Sequence, residues 1–172
     1  MYYQQWYESS LGRLRLVCSD DALVGIWFEG QMYEGVGYDL QAIPVQTTPI
    51  IMQTIRWLDV YFSGQQPSLD GLSLAPNVTA FRRRVLACLQ MVPYGETVTY
   101  QWLADCLAET GPKTAARAIG GAVGHNPLAI IIPCHRVIGS SGRLTGYAGG
   151  IDRKIDLLVL EGHDREQLEK MR

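Results

Sequence analysis

Cys134, His135 and Arg136 stand in a row behind an apolar run, Leu128 to Ile132, and ahead of a glycine-rich stretch, Gly139 to Gly150. The thiolate is the reactive form of a cysteine. The free thiol has a pKa of about 8.5, and a neighbouring imidazole or guanidinium can favour the charged form. A nucleophile beside a base is the general plan of covalent catalysis. Adjacent side chains on an extended backbone point apart, however, and cysteine is among the most buried residue types. The dipeptide by itself therefore reads first as a structural cysteine. Cys18, Cys88 and Cys106 form no Cys-x-x-Cys pair and the three histidines complete no zinc spacing. Neither a disulfide framework nor a metal site is expected, and reduced thiols are the default.

The elements that must position these residues fall into two parts. Gly12 to Cys18 and Ala22 to Phe28 alternate in the manner of strands about the Asp20-Asp21 turn, with Tyr2 to Tyr7 as a third strand. Pro49 opens a helix with Ile51, Ile55, Leu58 and Phe62 on one face, and Gly64 ends it. Residues 65–77 carry turn formers and no periodicity, which makes them the linker between an N-terminal α+β domain, 1–76, and a second domain, 77–172. There, Thr79 caps a helix with Phe81, Val85, Leu86, Leu89 and Val92 as its apolar positions. Thr99 caps Tyr100 to Leu107, Gly111-Pro112 turns the chain, and a short helix follows from about Thr114 to Gly124, a helix-turn-helix pattern. Leu128 to Ile132 reads as a buried strand, and Asp152 to Glu161 as a closing helix with Ile155, Leu158 and Val159 inward.

With 172 residues, 47% of them hydrophobic and 19% charged, the chain can build a core, and intrinsic disorder is excluded as its main state. It lacks both a signal-peptide pattern and the roughly 18 consecutive apolar residues of a membrane helix, so a soluble, unexported, cytoplasmic protein is expected. The formal net charge of -2 argues at first against nucleic acid. Segmented, the balance changes: residues 1–80 hold three Lys/Arg against eight Asp/Glu, residues 81–155 nine against four, and residues 156–172 three against five. A basic stretch between two acidic ones points to a nucleic-acid or membrane face, with chance fluctuation as the alternative.

The second helix of the helix-turn-helix is unusual for a reader of bases. Ala115, Ala116, Ala118, Gly120, Gly121, Ala122 and Gly124 leave almost no side chain to probe a major groove. Two glycines inside a helix cost about 1 kcal/mol each relative to alanine. Tight helix packing is one reason for them, and close approach of another body is the other.

Taken together, Ile132-Pro133-Cys134-His135-Arg136-Val137-Ile138-Gly139 and Thr145-Gly146-Tyr147-Ala148-Gly149-Gly150 resemble the O6-alkylguanine-DNA alkyltransferases. The resemblance extends through Pro93 to Tyr100, Ala115 to Ala122, Asn126-Pro127 and Glu161-Gly162-His163, over roughly residues 79–163, and more weakly into the N-terminal part. It implies a ribonuclease-H-like sheet-and-helix domain followed by a helical, winged-helix-like domain carrying the helix-turn-helix.

It also implies direct-reversal DNA repair: a single-turnover methyltransferase whose cysteine irreversibly takes the alkyl group from O6-alkylguanine, and from O4-alkylthymine. Cys134 matches the nucleophile, His135 the base acting through a water, and Glu161 the carboxylate that orients the imidazole. An exposed helix-end carboxylate is the commoner fate of such a glutamate.

The Ala/Gly-rich helix, with Ala115, Ala116, Gly120 and Gly121, would lie in the minor groove of double-stranded DNA with little sequence preference. Arg117 matches the arginine that fills the stack when the lesion rotates out, Tyr100 the tyrosine that crowds the phosphate, and Asn126 the hinge asparagine. The carbonyls of Cys134 and Val137 would accept from the guanine amino group, and Tyr147 and the Ala148 amide would face O6. Ala148, small where relatives carry serine, would widen tolerance for longer alkyl groups. Lys154 and Arg136 would add positive field from solvated or structural positions.

The N-terminal part lacks the cysteine cluster some relatives use, so no metal, no cofactor and one acceptor are expected, in a monomer able to assemble cooperatively on DNA. Two rivals remain. A non-catalytic lesion binder of the same fold would replace the acceptor cysteine, and a helix-turn-helix regulator would need polar side chains on its recognition helix.

Overall fold

A computed structural model describes residues 1–172 as an α+β protein of two compact units, residues 1–77 with 127–129, and residues 78–126 with 130–172. In the first unit β1 (Tyr3–Ser9), β2 (Gly12–Cys18) and β3 (Leu23–Phe28) form an antiparallel meander. Leu14, Leu16, Val17, Leu23, Ile26 and Phe28 are buried in it, as strand alternation in β2 and the apolar run of β3 require. Helix α1 (Pro49–Phe62) contacts the sheet. Thr48 caps it by accepting from the Ile51 amide at 3.2 Å, and Pro49 fills the first turn, where no donor is needed. Its buried face is Ile51, Thr54, Leu58 and Tyr61 rather than the expected Ile51, Ile55, Leu58 and Phe62. Thr54 can turn inward because its hydroxyl donates to the Ile50 carbonyl at 2.9 Å.

The expected linker is not free throughout. Leu74 pairs in parallel with Leu23, through Leu23 N to Ser73 O at 2.9 Å and Ala75 N to Leu23 O at 2.9 Å.

The second unit contains α2 (Ala80–Gln90), α3 (Tyr100–Ala108), α4 (Ala116–Gly124), α5 (Ile151–Leu160) and α6 (Arg165–Lys170). Thr79 and Thr99 cap α2 and α3, accepting from Arg82 N at 3.2 Å and Trp102 N at 3.1 Å. Helices α2, α3 and α4 pack on one another. Helix α4 starts two residues later than expected, behind Ala115, with no side-chain cap. Helix α6, which sequence patterning missed, is six residues long and anchors Leu168 beside Leu144, Ile155 and Leu158. Strands β4 (Val98–Thr99) and β5 (Val137–Ile138) form a two-residue parallel pair, so the segment entering α3 is hydrogen-bonded to the segment leaving Cys134.

Two further expectations are corrected. Leu128 to Ile132 is buried but is not a strand: Leu128 makes one bridge with Ile26, and the chain then turns through Ile130 at φ 72°. A short apolar run fits a buried turn as well as a buried strand, because periodicity does not separate them. Nor are all the thiols reduced. Cys88 of α2 and Cys106 of α3 are joined as a disulfide with Cα atoms 6.2 Å apart, within the span such a bond needs, while Cys18 and Cys134 are free. The packing of two helices brought together cysteines eighteen residues apart, which no local spacing displays.

Candidate active site

The Cys134 segment takes its shape from Asn126. Its Nδ2 donates to the Ile132 carbonyl at 2.8 Å and to Cys134 Sγ at 3.2 Å, so one buried amide fixes both the turn and the thiol. Cys134 to Arg136 form a single 3₁₀ turn, with Cys134 N bonded to Ile132 O at 2.9 Å and Val137 N to Cys134 O. Consecutive side chains on such a turn are not splayed to opposite sides as on a strand. The geometric objection to an adjacent Cys-His pair is thereby removed.

His135 is fully buried and Glu161 is 6% exposed, so this carboxylate is not a solvated helix end. His135 Nε2 lies 2.6 Å from Glu161 Oε2. Arg136 grips the same carboxylate with two donors, Nε to Oε1 at 2.7 Å and Nη2 to Oε2 at 3.0 Å, and spends Nη1 on the Val92 carbonyl at 2.9 Å. The Gly95 amide donates to Oε1 at 3.2 Å. Gly95 sits at φ +81°, and a Cβ there would press on the Glu161 carbonyl at 3.3 Å, which is why the Pro93-Tyr94-Gly95-Glu96 turn carries glycine at that point. That turn, which the sequence placed within the family resemblance without a role, is a wall of the site.

Burial works to raise the Glu161 pKa, but hydrogen bonds from His135 and Arg136 and the Arg136 charge outweigh it and hold the carboxyl well below its usual range. Burial pushes His135 down, against the opposing pull of Glu161, so the ring is neutral at rest. With an ionised Glu161 accepting from Nε2–H, the basic lone pair lies on Nδ1, a buried atom with no protein partner. Burial raises the Cys134 thiol, with the Asn126 hydrogen bond and Lys154 charge opposing. The resting site therefore holds a neutral thiol and a neutral imidazole beside a carboxylate. Adjacent positive charge does not keep a standing thiolate here, because the Arg136 guanidinium is committed to Glu161.

Lys154 is neither solvated nor peripheral. At 1% exposure it projects from α5 and donates to the Val137 carbonyl at 2.6 Å and the Thr145 carbonyl at 3.3 Å. Burial lowers its pKa to about 8. The Val137 carbonyl, expected to face a guanine amino group, already accepts one bond and keeps its second lone pair for another. The Thr145 hydroxyl lies 3.3 Å from the Tyr100 hydroxyl, which ties the start of α3 to the loop after Cys134. The Tyr147 hydroxyl is buried without a partner, and burial raises its pKa well above the usual value, while Ala148 is half-buried beside it in the chain.

The helix-turn-helix supplies an open face. A cleft of about 500 Å³ is lined by Tyr100, Gln101, Ala104, Lys113, Ala115 and Ala116, among others. Arg117 is exposed on α4. A Cβ at Gly120 or Gly121 would meet nothing within 4 Å, so tight helix packing is not the reason for these glycines. Tyr100, Ala115 and Ala116 thus share one cleft, whereas Asn126, Cys134, His135 and Glu161 are joined by hydrogen bonds and backbone in one buried cluster.

A buried thiol on the same turn as an imidazole clamped to a carboxylate, in a unit presenting a small-residue helix-turn-helix, defines a cysteine-nucleophile protein built to meet nucleic acid. The family descriptions that match are the 6-O-methylguanine DNA methyltransferase ribonuclease-like domain, over residues 1–76, and the DNA binding domain of the same family, over residues 80–163. The chain belongs to the 6-O-methylguanine DNA methyltransferase family. It is 42% identical over 154 residues to a methylated-DNA–protein-cysteine methyltransferase of Mycolicibacterium paratuberculosis, covering 90% of this chain and 88% of that one. A protein of the same name from Methanosarcina acetivorans is 40% identical, with 94% and 99% covered. The crystal structure of Mycobacterium tuberculosis OGT in complex with DNA superposes with a TM-score of 0.81 at 40% identity, covering 92% of each chain.

Proposed function

We propose that Cys134 is the acceptor in a single-turnover repair reaction that moves the alkyl group from O6 of guanine in double-stranded DNA onto its sulfur. Repair of DNA by transfer to a protein cysteine is the activity of the family, and DNA is its partner. The observation that carries the assignment of Cys134 is its placement: its sulfur is held by Asn126, and the next residue begins a buried His135–Glu161–Arg136 relay. In the displacement the S–C bond forms as the C–O6 bond breaks. The thiol proton leaves toward the free Nδ1 of His135 through a water, and Glu161 stabilises the imidazolium that results. The unpartnered Tyr147 hydroxyl and the Ala148 amide donate at O6 as charge develops there. The step is redox-neutral and needs no cofactor. A thioether is a poor leaving group, so each molecule acts once.

For the lesion to reach a buried sulfur it must rotate out of the stack, at a cost of a few kcal/mol. The open, small-residue surface of α4 suits the minor groove, where Arg117 enters the vacated stack and Tyr100 crowds the phosphate. The protein acts as a monomer able to assemble cooperatively on DNA. Ala148 leaves room for longer adducts, and O4-alkylthymine is a second substrate.

The test is a duplex carrying O6-methylguanine with a labelled methyl group. One equivalent of label is expected on the peptide containing Cys134 and none on Cys134→Ala. Label that survives the substitution would overturn the assignment. Inability to accept a benzyl group from O6-benzylguanine would remove the claim for Ala148 alone.

A further inference from the structure

Cys88 and Cys106 take no part in the acceptor chemistry. Cys88 lies near the C-terminal end of α2 and is 6% exposed, and Cys106 lies in the last turn of α3 and is half-buried. We propose that the pair is a reversible thiol–disulfide site that exchanges with low-molecular-weight disulfides and, by opening and closing, sets how firmly the helix-turn-helix is held to α2.

The exchange balances without any further reactant. The Cys106 thiolate, the accessible one of the two, attacks a sulfur of the small disulfide, releasing one small thiol and leaving a mixed disulfide on Cys106. The Cys88 thiolate then attacks the Cys106 sulfur and releases the second small thiol. The two protein protons end on the two released thiols, the small disulfide is reduced, and the protein pair is oxidised. Cys88, shielded from direct attack, is suited only to the resolving step. Cys134 is spared because the residue is buried, its sulfur is held by Asn126, and it has no cysteine partner.

The location gives the bond a mechanical consequence. Leu107, the residue after Cys106, accepts from Arg84 Nη2 of α2 at 2.9 Å. In the turn beyond, Gly111 lies against the same Arg84 guanidinium, which would have to shift to admit a Cβ there. One arginine therefore holds the end of α3 and the turn leading to α4 by noncovalent contacts, and the disulfide adds a covalent tie one residue away. Reduction leaves only noncovalent contacts, the arginine and the packing of α2, α3 and α4, to hold the turn. The consequence for DNA rests on the reading of α3 and α4 as DNA-binding elements, whereas the exchange itself does not.

The full-length protein equilibrated across ratios of oxidised to reduced glutathione tests this. Capping of free thiols and peptide mass should show Cys88 and Cys106 converting reversibly between two capped thiols and one linked peptide. The oxidised form should melt roughly 5–10 °C higher. Its amide hydrogens over residues 107–115 should exchange more slowly, and it should bind undamaged duplex more tightly. Transfer from free O6-benzylguanine should be the same in both forms. Cys106→Ser should abolish every redox dependence while retaining transfer, and Cys88→Ala should do the same should the serine variant fold poorly. Two free thiols or only glutathione adducts at the oxidising end, or oxidised and reduced forms with equal melting and exchange, would overturn the proposal. Reversible linkage with these shifts but no methyl transfer from a duplex carrying O6-methylguanine in either form would instead count against the repair function alone.

Discussion

In the N-terminal unit the buried polar side chains are Gln4 and Thr54, both uncharged. Gln4 Nε2 donates to the Leu40 and Ile43 carbonyls at 2.7 Å, and Thr54 bonds its own helix. In the other unit they are Asn126, His135, Arg136, Lys154 and Glu161, four of them ionisable and all in or beside the Cys134 turn. The first unit is what burial of apolar strands and one helix face produces unaided. The second carries a cluster whose desolvation is unfavourable unless every member is paired, and such clusters gather where chemistry is done. Its charges are therefore coupled to stability and to reactivity at once, whereas charges such as Arg15 and Glu34 of the first unit, paired at 2.7 Å, serve structure.

The largest effect separating the two units should come from Glu161→Gln. It leaves Arg136 without its counter-charge and His135 without a carboxylate, so a loss of about 3–5 kcal/mol is expected in denaturant unfolding. A fall in transfer rate of roughly 100-fold or more should accompany it, from loss of the group that stabilises the imidazolium. Arg15→Met in the first unit should cost about 1 kcal/mol and leave the rate unchanged. Comparable losses of rate in both variants would erase the distinction.

Acid should distinguish the units next. The folded pKa of His135 is lowered by burial, so below the unfolded value of about 6.5 the unfolded state binds a proton that the native state refuses, and stability falls. Glu161 is held low in the native state, so its contribution is present above the unfolded value of about 4.3 and is lost as the pH falls through the native one. Both signs agree: melting temperature should decline from about pH 6.5 downward and steepen below about pH 4. His135→Gln should flatten the upper part of that decline, and an unchanged profile would contradict a neutral buried ring.

The smallest change runs the other way. Gly120→Ala and Gly121→Ala add a methyl to open space within α4 and should each stabilise by about 0.5–1 kcal/mol. Binding to duplex should nevertheless weaken, because the added methyl stands on the surface assigned to the groove. Stabilisation with unchanged DNA affinity would leave that assignment without its strongest local support.

Much of this arrangement could be read from the chain. Apolar strand patterning marked β1 to β3, the Thr79 and Thr99 caps marked the starts of α2 and α3, and the Cys134-His135 pair with the motifs around it pointed to the Cys134 turn. These are local signals, set by side-chain period and backbone chemistry within a few residues. What was missed is non-local. Nothing near Arg136 in the sequence says that it grips Glu161 twenty-five residues later, and nothing near Lys154 says that its amine is sealed against two loop carbonyls. The Leu128 to Ile132 run misled because an apolar stretch specifies burial without specifying direction.

By itself, then, the sequence determined the α+β class with its N-terminal sheet and main helices, the family, and the residue types available for a displacement at sulfur. Only the tertiary structure decided that the thiol and imidazole rest neutral, that Lys154 and Arg136 are buried ties and not solvated charges, and that Cys88 meets Cys106. The reason is physical. Helix caps and strand periods depend on neighbours along the chain, whereas a pKa, a buried ion pair or a disulfide depends on which distant groups share the same few ångströms and whether water is excluded from them.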